Sequence, residues 1–129
     1  MSYLELTDVT DSISRGVDMQ PYLLEGDDAI VDLAERLGVR DPDDIESDPL
    51  HYKVRRYGVA WAMSRFCQDR IGASSPEVSP ETNKYFVMYG VYKREVQDLE
   101  TGISYEMMSG TVSAIRDRAN HVSVTLFRG

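Results

Sequence analysis

Apolar residues recur at helical spacing through most of the first hundred positions. The clearest case is EGDDAIVDLAERLGV, where Ala29, Ile30, Leu33, Ala34 and Leu37 trace one stripe. Asp27 or Asp28 supplies an N-cap there, Gly38 suits a left-handed C-terminal residue, and Arg36 complements the helix dipole. The pattern predicts a helix of about three turns. Upstream, in TDVTDSISRGV, Leu6, Val9 and Ile13 also fall at helical spacing, with Thr7 as cap, Asp8 and Asp11 in the opening turns and Gly16 as a stop. A short helix is expected, followed by a break at Pro21.

Residues 48–74, DPLHYKVRRYGVAWAMSRFCQDRIGAS, predict the longest element. Asp48 reads as N-cap and Pro49 as the first helical residue, and nothing ends the pattern before Gly72. Leu50, Val54, Tyr57, Trp61 and Ser64 form one row, and Val59, Met63, Phe66 and Cys67 form a second apolar strip. A helix apolar over so much of its circumference is expected to be central, and small Gly58, Ala60 and Ala62 would let another helix approach closely. A fourth helix is expected from Thr82 to Leu99, on the stripe Tyr85, Met88, Tyr89, Tyr92, Val96 and Leu99. Between these elements, the acidic RDPDDIESDP and the Ser/Pro-rich ASSPEVSPETN read as loops.

After Gly102 the period changes. ISYEMMSG fits no single pattern, whereas TVSAI and VSVTLF alternate and predict a β-hairpin, or two strands joined by a short loop. The expected fold class is therefore mainly α: a small helical bundle around one long central helix, with a short C-terminal β-hairpin or strand extension. Residues 1–102 form the helical domain of this reading, and residues 103–129 a β-rich extension used for packing or assembly. A lone hairpin is marginal in water, so it must pack on the helices or be completed by another chain.

Composition narrows the function. With 129 residues, 42% hydrophobic and 28% charged, the chain has the make-up of one soluble globular domain. Apolar runs broken by charge exclude a membrane-spanning helix, and acidic MSYLELTDV does not read as a signal peptide. A net charge of −8 opposes gripping nucleic acid or anionic lipid, because both are bound through cationic faces. Cys67 stands alone, so an internal disulfide is impossible and a thiolate zinc site lacks partners. It falls near a helix C-terminus, where the dipole disfavours a thiolate, and reads as a small core residue. His51 and His121 have no orienting partner or metal-ligand spacing. Trp61 with Tyr57 and Phe66 reads as core rather than a ligand floor. The acidic pairs Asp27/Asp28 and Asp43/Asp44 are commonplace in an acidic chain, and the acidic loop lacks the ligand order of an EF-hand. No enzyme, cofactor or metal site is expected.

The order of elements (YLELTDV, DDAIVDLAERLG, HYKVRRYGVAWAMSRFCQDRIG, KYFVMYGVYKREVQDL, then a small β C-terminus) resembles the head–tail connector, or adaptor, proteins of tailed bacteriophages. The resemblance spans most of the chain and rests on layout and aromatic-basic texture, without an invariant motif. It implies a non-enzymatic virion protein, assembled in the host cytoplasm, that forms a ring of about a dozen copies beneath the portal protein. The ring extends the DNA channel and docks the next neck or tail protein, and DNA traverses it without specific binding. Physical grounds place the self-contact at the C-terminal strand, through Val122, Val124, Leu126, Phe127 and Arg128, as an open edge for a neighbour. Two other readings stand beside it. One is a soluble helical adaptor or regulatory protein, monomer or dimer, that binds a partner through the Met- and Tyr-rich fourth helix or the β tail. The other is a different phage part, such as a head-completion or tail-terminator protein.

Overall fold

Gly26 and Gly58 bring two helices into close contact. The computed structural model describes residues 3–10, 12–72 and 80–110, and these are mainly helical. Helix α1 spans Gln20–Arg36, α2 Tyr52–Gly72, α3 Pro80–Gly102 and α4 Tyr105–Ser109. A Cβ on Gly26 of α1 would stand 2.5 Å from the carbonyl oxygen of Gly58 in α2, and one on Gly58 would press on the Ile30 and Leu4 side chains at 2.7 and 2.9 Å. The close-approach role expected of Gly58 is thus met, with Gly26 as its counterpart.

Helix α2 packs against both α1 and α3. Gly58 faces α1, whereas Arg56 reaches Glu95 on α3. Two residues of helix turn the chain through about 200°, so α1 and α3 pack on different sides of α2. This placement explains why α2 is apolar nearly all round: Val54, Tyr57, Ala60, Ala62, Met63, Phe66 and Cys67 are all fully buried. Phe66 meets Tyr22 of α1 edge-on at 5.7 Å and Tyr85 of α3 edge-on at 5.9 Å, a geometry that suits ring quadrupoles.

Helix α1 begins seven residues before Asp27, and Pro21 lies in its first turn rather than in a break. A proline costs nothing there because its missing N–H would lack a helical partner anyway. The two extra turns carry Leu23 into the core. The C-terminus ends as the glycine predicts. Gly38 has φ +104°, its N–H donates to the Glu35 carbonyl, and the Val39 N–H donates to Ala34 O at 2.8 Å. That is the Schellman pattern, with Val39 buried against the helix it closes.

Asp27 does not cap α1. It lies in the second turn, is 3% exposed, and its Oδ1 accepts the backbone N–H groups of Tyr3 at 2.9 Å and Leu4 at 3.0 Å. This carboxylate straps the N-terminal segment to the bundle, and Leu4 is buried beside Gly26 and Gly58. The helix expected over Leu6 to Ile13 is replaced by two 3₁₀ turns, Leu6–Asp8 and Ser12–Ser14. The cap of the first is Glu5, in a reciprocal box with Asp8, and not Thr7. With Tyr3 and Leu4 already drawn into the core, Leu6 is left largely exposed and no continuous apolar stripe drives a longer helix. Gly16, at φ +79°, closes the second turn.

The start of α2 also differs from expectation. The Asp48–Pro49 peptide is cis, Ser47 and Leu50 bridge across it, and the helix begins at Tyr52. Capping falls to His51, whose Nδ1 accepts the Lys53 N–H at 3.1 Å. Burial, and then the Lys53 charge, hold the imidazole below its ordinary pKa, which keeps Nδ1 free to accept. The acidic loop before it is anchored. Asp41 accepts the Asp43 N–H to start a 3₁₀ turn at Pro42–Asp44, Ile45 is buried, and the Glu46 N–H donates to Met108 O.

Helix α3, at 23 residues, exceeds the 21 of α2, so the longest described element is not the one expected. Residues 103–110, grouped by the sequence with the β-rich extension, instead hold helix α4 at Tyr105–Ser109. Ser104 caps it through Oγ and Gly110 closes it at φ +73°. Ile103 and Met108 are buried, so this piece belongs to the helical core. The predicted strands TVSAI and VSVTLF lie outside the described residues.

Where α1 and α3 converge, Arg36 donates to Glu100 Oε1 at 2.9 Å above the buried Tyr57 ring, whose hydroxyl donates to the same oxygen at 3.4 Å. Burial first, and the Glu100 charge second, push the Tyr57 phenol up to about 12. The unfolded phenol ionises near pH 10, so the folded state holds its proton while the unfolded state loses it. The associated stability is complete below pH 10 and is lost as pH rises toward 12. Tyr57→Phe should therefore flatten the fall in stability between pH 10 and 12, measured as urea midpoints across that range, while the pH 7 midpoint changes by less than about 1 kcal/mol equivalent.

Candidate interaction surface

The two faces of α3 have different fates. Tyr92 and Val96 of the predicted stripe are buried against α2, with Tyr85, Met88, Tyr89 and Leu99 half-buried beside them. On the other side of the same turns, Phe86, Val87 and Val91 are 53%, 57% and 50% exposed. Gly90 lies among them, and a Cβ there would meet nothing within 4 Å. Three large apolar side chains exposed within two turns form an apolar strip on this side of α3, more than the single exposed apolar residues found on any soluble protein.

Cations rim this strip. Lys84 lies over the Tyr85 ring at 5.2 Å, and Lys93 lies over Tyr89 at 5.5 Å and donates to its hydroxyl. Arg94, exposed one turn from Gly90, makes no ion pair among the described residues. Two acidic residues of α3 turn elsewhere: Glu95 takes Arg56 in a two-pronged contact and Glu100 takes Arg36. Asp98, a turn beyond Arg94, is exposed.

The outer face of α1 has the opposite sign. Leu24 is 50% exposed, and Asp28, Asp32 and Glu35 are exposed along the same side. Asp32 leans on Arg36 at 3.6 Å, while Asp28 and Glu35 make no ion pair among the described residues.

Between α2 and α3 an open groove of about 330 Å³ is lined by Trp61, Ser64, Arg65, Tyr89, Lys93 and Val96. Trp61 is half-buried there, not sealed in the core as its place in the aromatic row predicts, although Leu50, Val54 and Tyr57 of the same row are buried. A more polar cleft of about 400 Å³ lies between the N-terminal segment and Leu50, lined by Glu5, Asp8, Ser47 and Arg55. Its carboxylates are engaged in the local capping box.

The proposed contact residues Val122, Val124, Leu126, Phe127 and Arg128 lie outside the described residues, as does His121. Cys67 is fully buried, as its core reading requires. His51 stacks on Tyr52 at 4.9 Å while it caps α2. Among the described residues no three His, Cys, Asp or Glu side chains are placed to share a metal ion, and no helix is long and apolar enough to cross a membrane. Sequence reading missed the outer strip of α3. The signal was KYFVMYGVYK, which is apolar on more than the one face the bundle needs.

No protein-family model, curated protein or solved structure matches this chain.

Proposed function

We propose that the chain is a structural virion protein, a head–tail connector or adaptor that forms an oligomeric ring below the portal, extends the DNA channel and docks the next neck or tail protein. The observation that carries an assembly role is the exposed strip Phe86, Val87 and Val91 on α3, a surface that association would remove from water. The layout resemblance supplies the phage setting. The net charge of −8 is compatible with DNA passing without adhering. In this reading a long central helix carries the protomer, and a C-terminal hairpin or strand containing Val122, Val124, Leu126 and Phe127 completes a neighbour's β edge.

The same strip also supports a helical adaptor that binds an unrelated protein through α3 as a monomer or dimer. Mass measurement separates the two. The connector reading expects high-order rings, alone or on mixing with the portal protein encoded upstream in the same genome. A tight dimer that ignores the portal would count for the adaptor. Deleting residues 122–129 should leave the helical circular dichroism intact and abolish ring formation. Loss of the helical signal would make that segment core and end its interface assignment.

A further inference from the structure

We propose that the outer face of α1 in one copy docks on the outer face of α3 in the next, a head-to-tail contact between copies of this chain. The inference rests on the assembly reading above and names its lateral contact. Two observations carry it. The faces are complementary: Phe86, Val87 and Val91 with Lys84 and Arg94 on α3, beyond which lies the exposed Asp98, against Leu24 with Asp28, Glu35 and the Arg36-paired Asp32 on α1. They also belong to different helices packed on different sides of α2, and both are exposed, so one copy can use both at once.

Charge decides among possible self-contacts. A two-fold contact of α3 on α3 would bury the apolar strip equally well, but it would bring Arg94 and Lys84 toward their own copies. A two-fold contact of α1 on α1 would oppose three carboxylates with three. Like charges across an interface are costly, and opposite charges steer association and fix register. The mixed contact satisfies both faces and leaves one of each kind open at the ends. Repetition therefore continues until the rotation closes a ring, or forms a filament if it does not close.

The test is a charge swap read by sedimentation velocity, in the portal mixture if the chain assembles only there. Arg94→Glu and Asp28→Lys lie at exposed positions, and their circular dichroism should match that of the parent. Each alone should raise the concentration for assembly about tenfold or more. A one-to-one mixture of the two variants should recover assembly, because every junction in an alternating array is then either the original or the exchanged pair. The double variant should recover it as well. Assembly of the parent with no rescue in mixture or double variant overturns the α1–α3 contact but leaves ring formation standing. A parent chain that stays monomeric both alone and with the portal overturns both.

Discussion

Gly26→Val should lower the stability of the isolated domain by roughly 3 kcal/mol, at the upper end for overpacked cores. The reason is local. The added carbons enter a space where even a Cβ would stand 2.5 Å from the Gly58 carbonyl oxygen and 2.8 Å from Leu4 Cδ1. Leu4 could rotate away, but a backbone oxygen in the middle of α2 cannot move without shifting the helix. Gly26→Ala is the more searching variant, because two effects compete in it. Alanine favours a helix over glycine by about 1 kcal/mol, and the clash opposes it. The clash should win, with net destabilisation. Gly90→Ala is the control: on the open face of α3 the methyl meets nothing, and the helix preference should raise stability by up to about 1 kcal/mol. Urea unfolding of the three variants measures this directly. A Gly26→Ala protein more stable than the parent would mean that α1 and α2 do not approach as described.

Asp27→Ala should cost about 3 kcal/mol. The carboxylate is buried within α1, and its Oδ1 accepts from two backbone N–H groups that have left water. Each hydrogen bond to a charged acceptor is worth about 1.5–3 kcal/mol, and a stranded buried donor costs a comparable amount. The loss is bounded because the N-terminal segment can peel away and rehydrate, exposing Tyr3 and Leu4. Asp27→Asn keeps an acceptor oxygen, so its loss should be about half as large or less. Limited proteolysis adds a second readout, since cutting between Leu4 and Gly16 should speed up in the alanine variant before the bundle itself is attacked. If the alanine variant unfolds within about 0.5 kcal/mol of the parent, the strap contributes little.

Much of the helical framework is legible in the chain because the signals are local and agree with one another. The α1 stripe, its glycine stop and the inward face of α3 each follow from spacing alone. The errors share a different cause. Pro21, Asp48 and Pro49 each belong to motifs with two outcomes, a break or a first turn, a cap or a tight turn. Long-range packing of Leu23 and Leu50 goes with the outcome seen. Asp27 read as a cap because capping is what an aspartate before an apolar stripe usually does. Its real partners are twenty-three and twenty-four residues away, beyond any local pattern. The candidate surface was half legible. Its apolar residues are plain in KYFVMYGVYK, but which of them the bundle covers depends on where α2 lies.

Cys67 gives the molecule a built-in reporter. It is the only thiol in the chain and is wholly enclosed among the helices. An alkylating reagent can reach it only when the bundle parts, so its modification rate counts excursions of the interior and ignores fraying at the ends. One label, read by mass, thus follows the closed interior between the helices without any engineered residue.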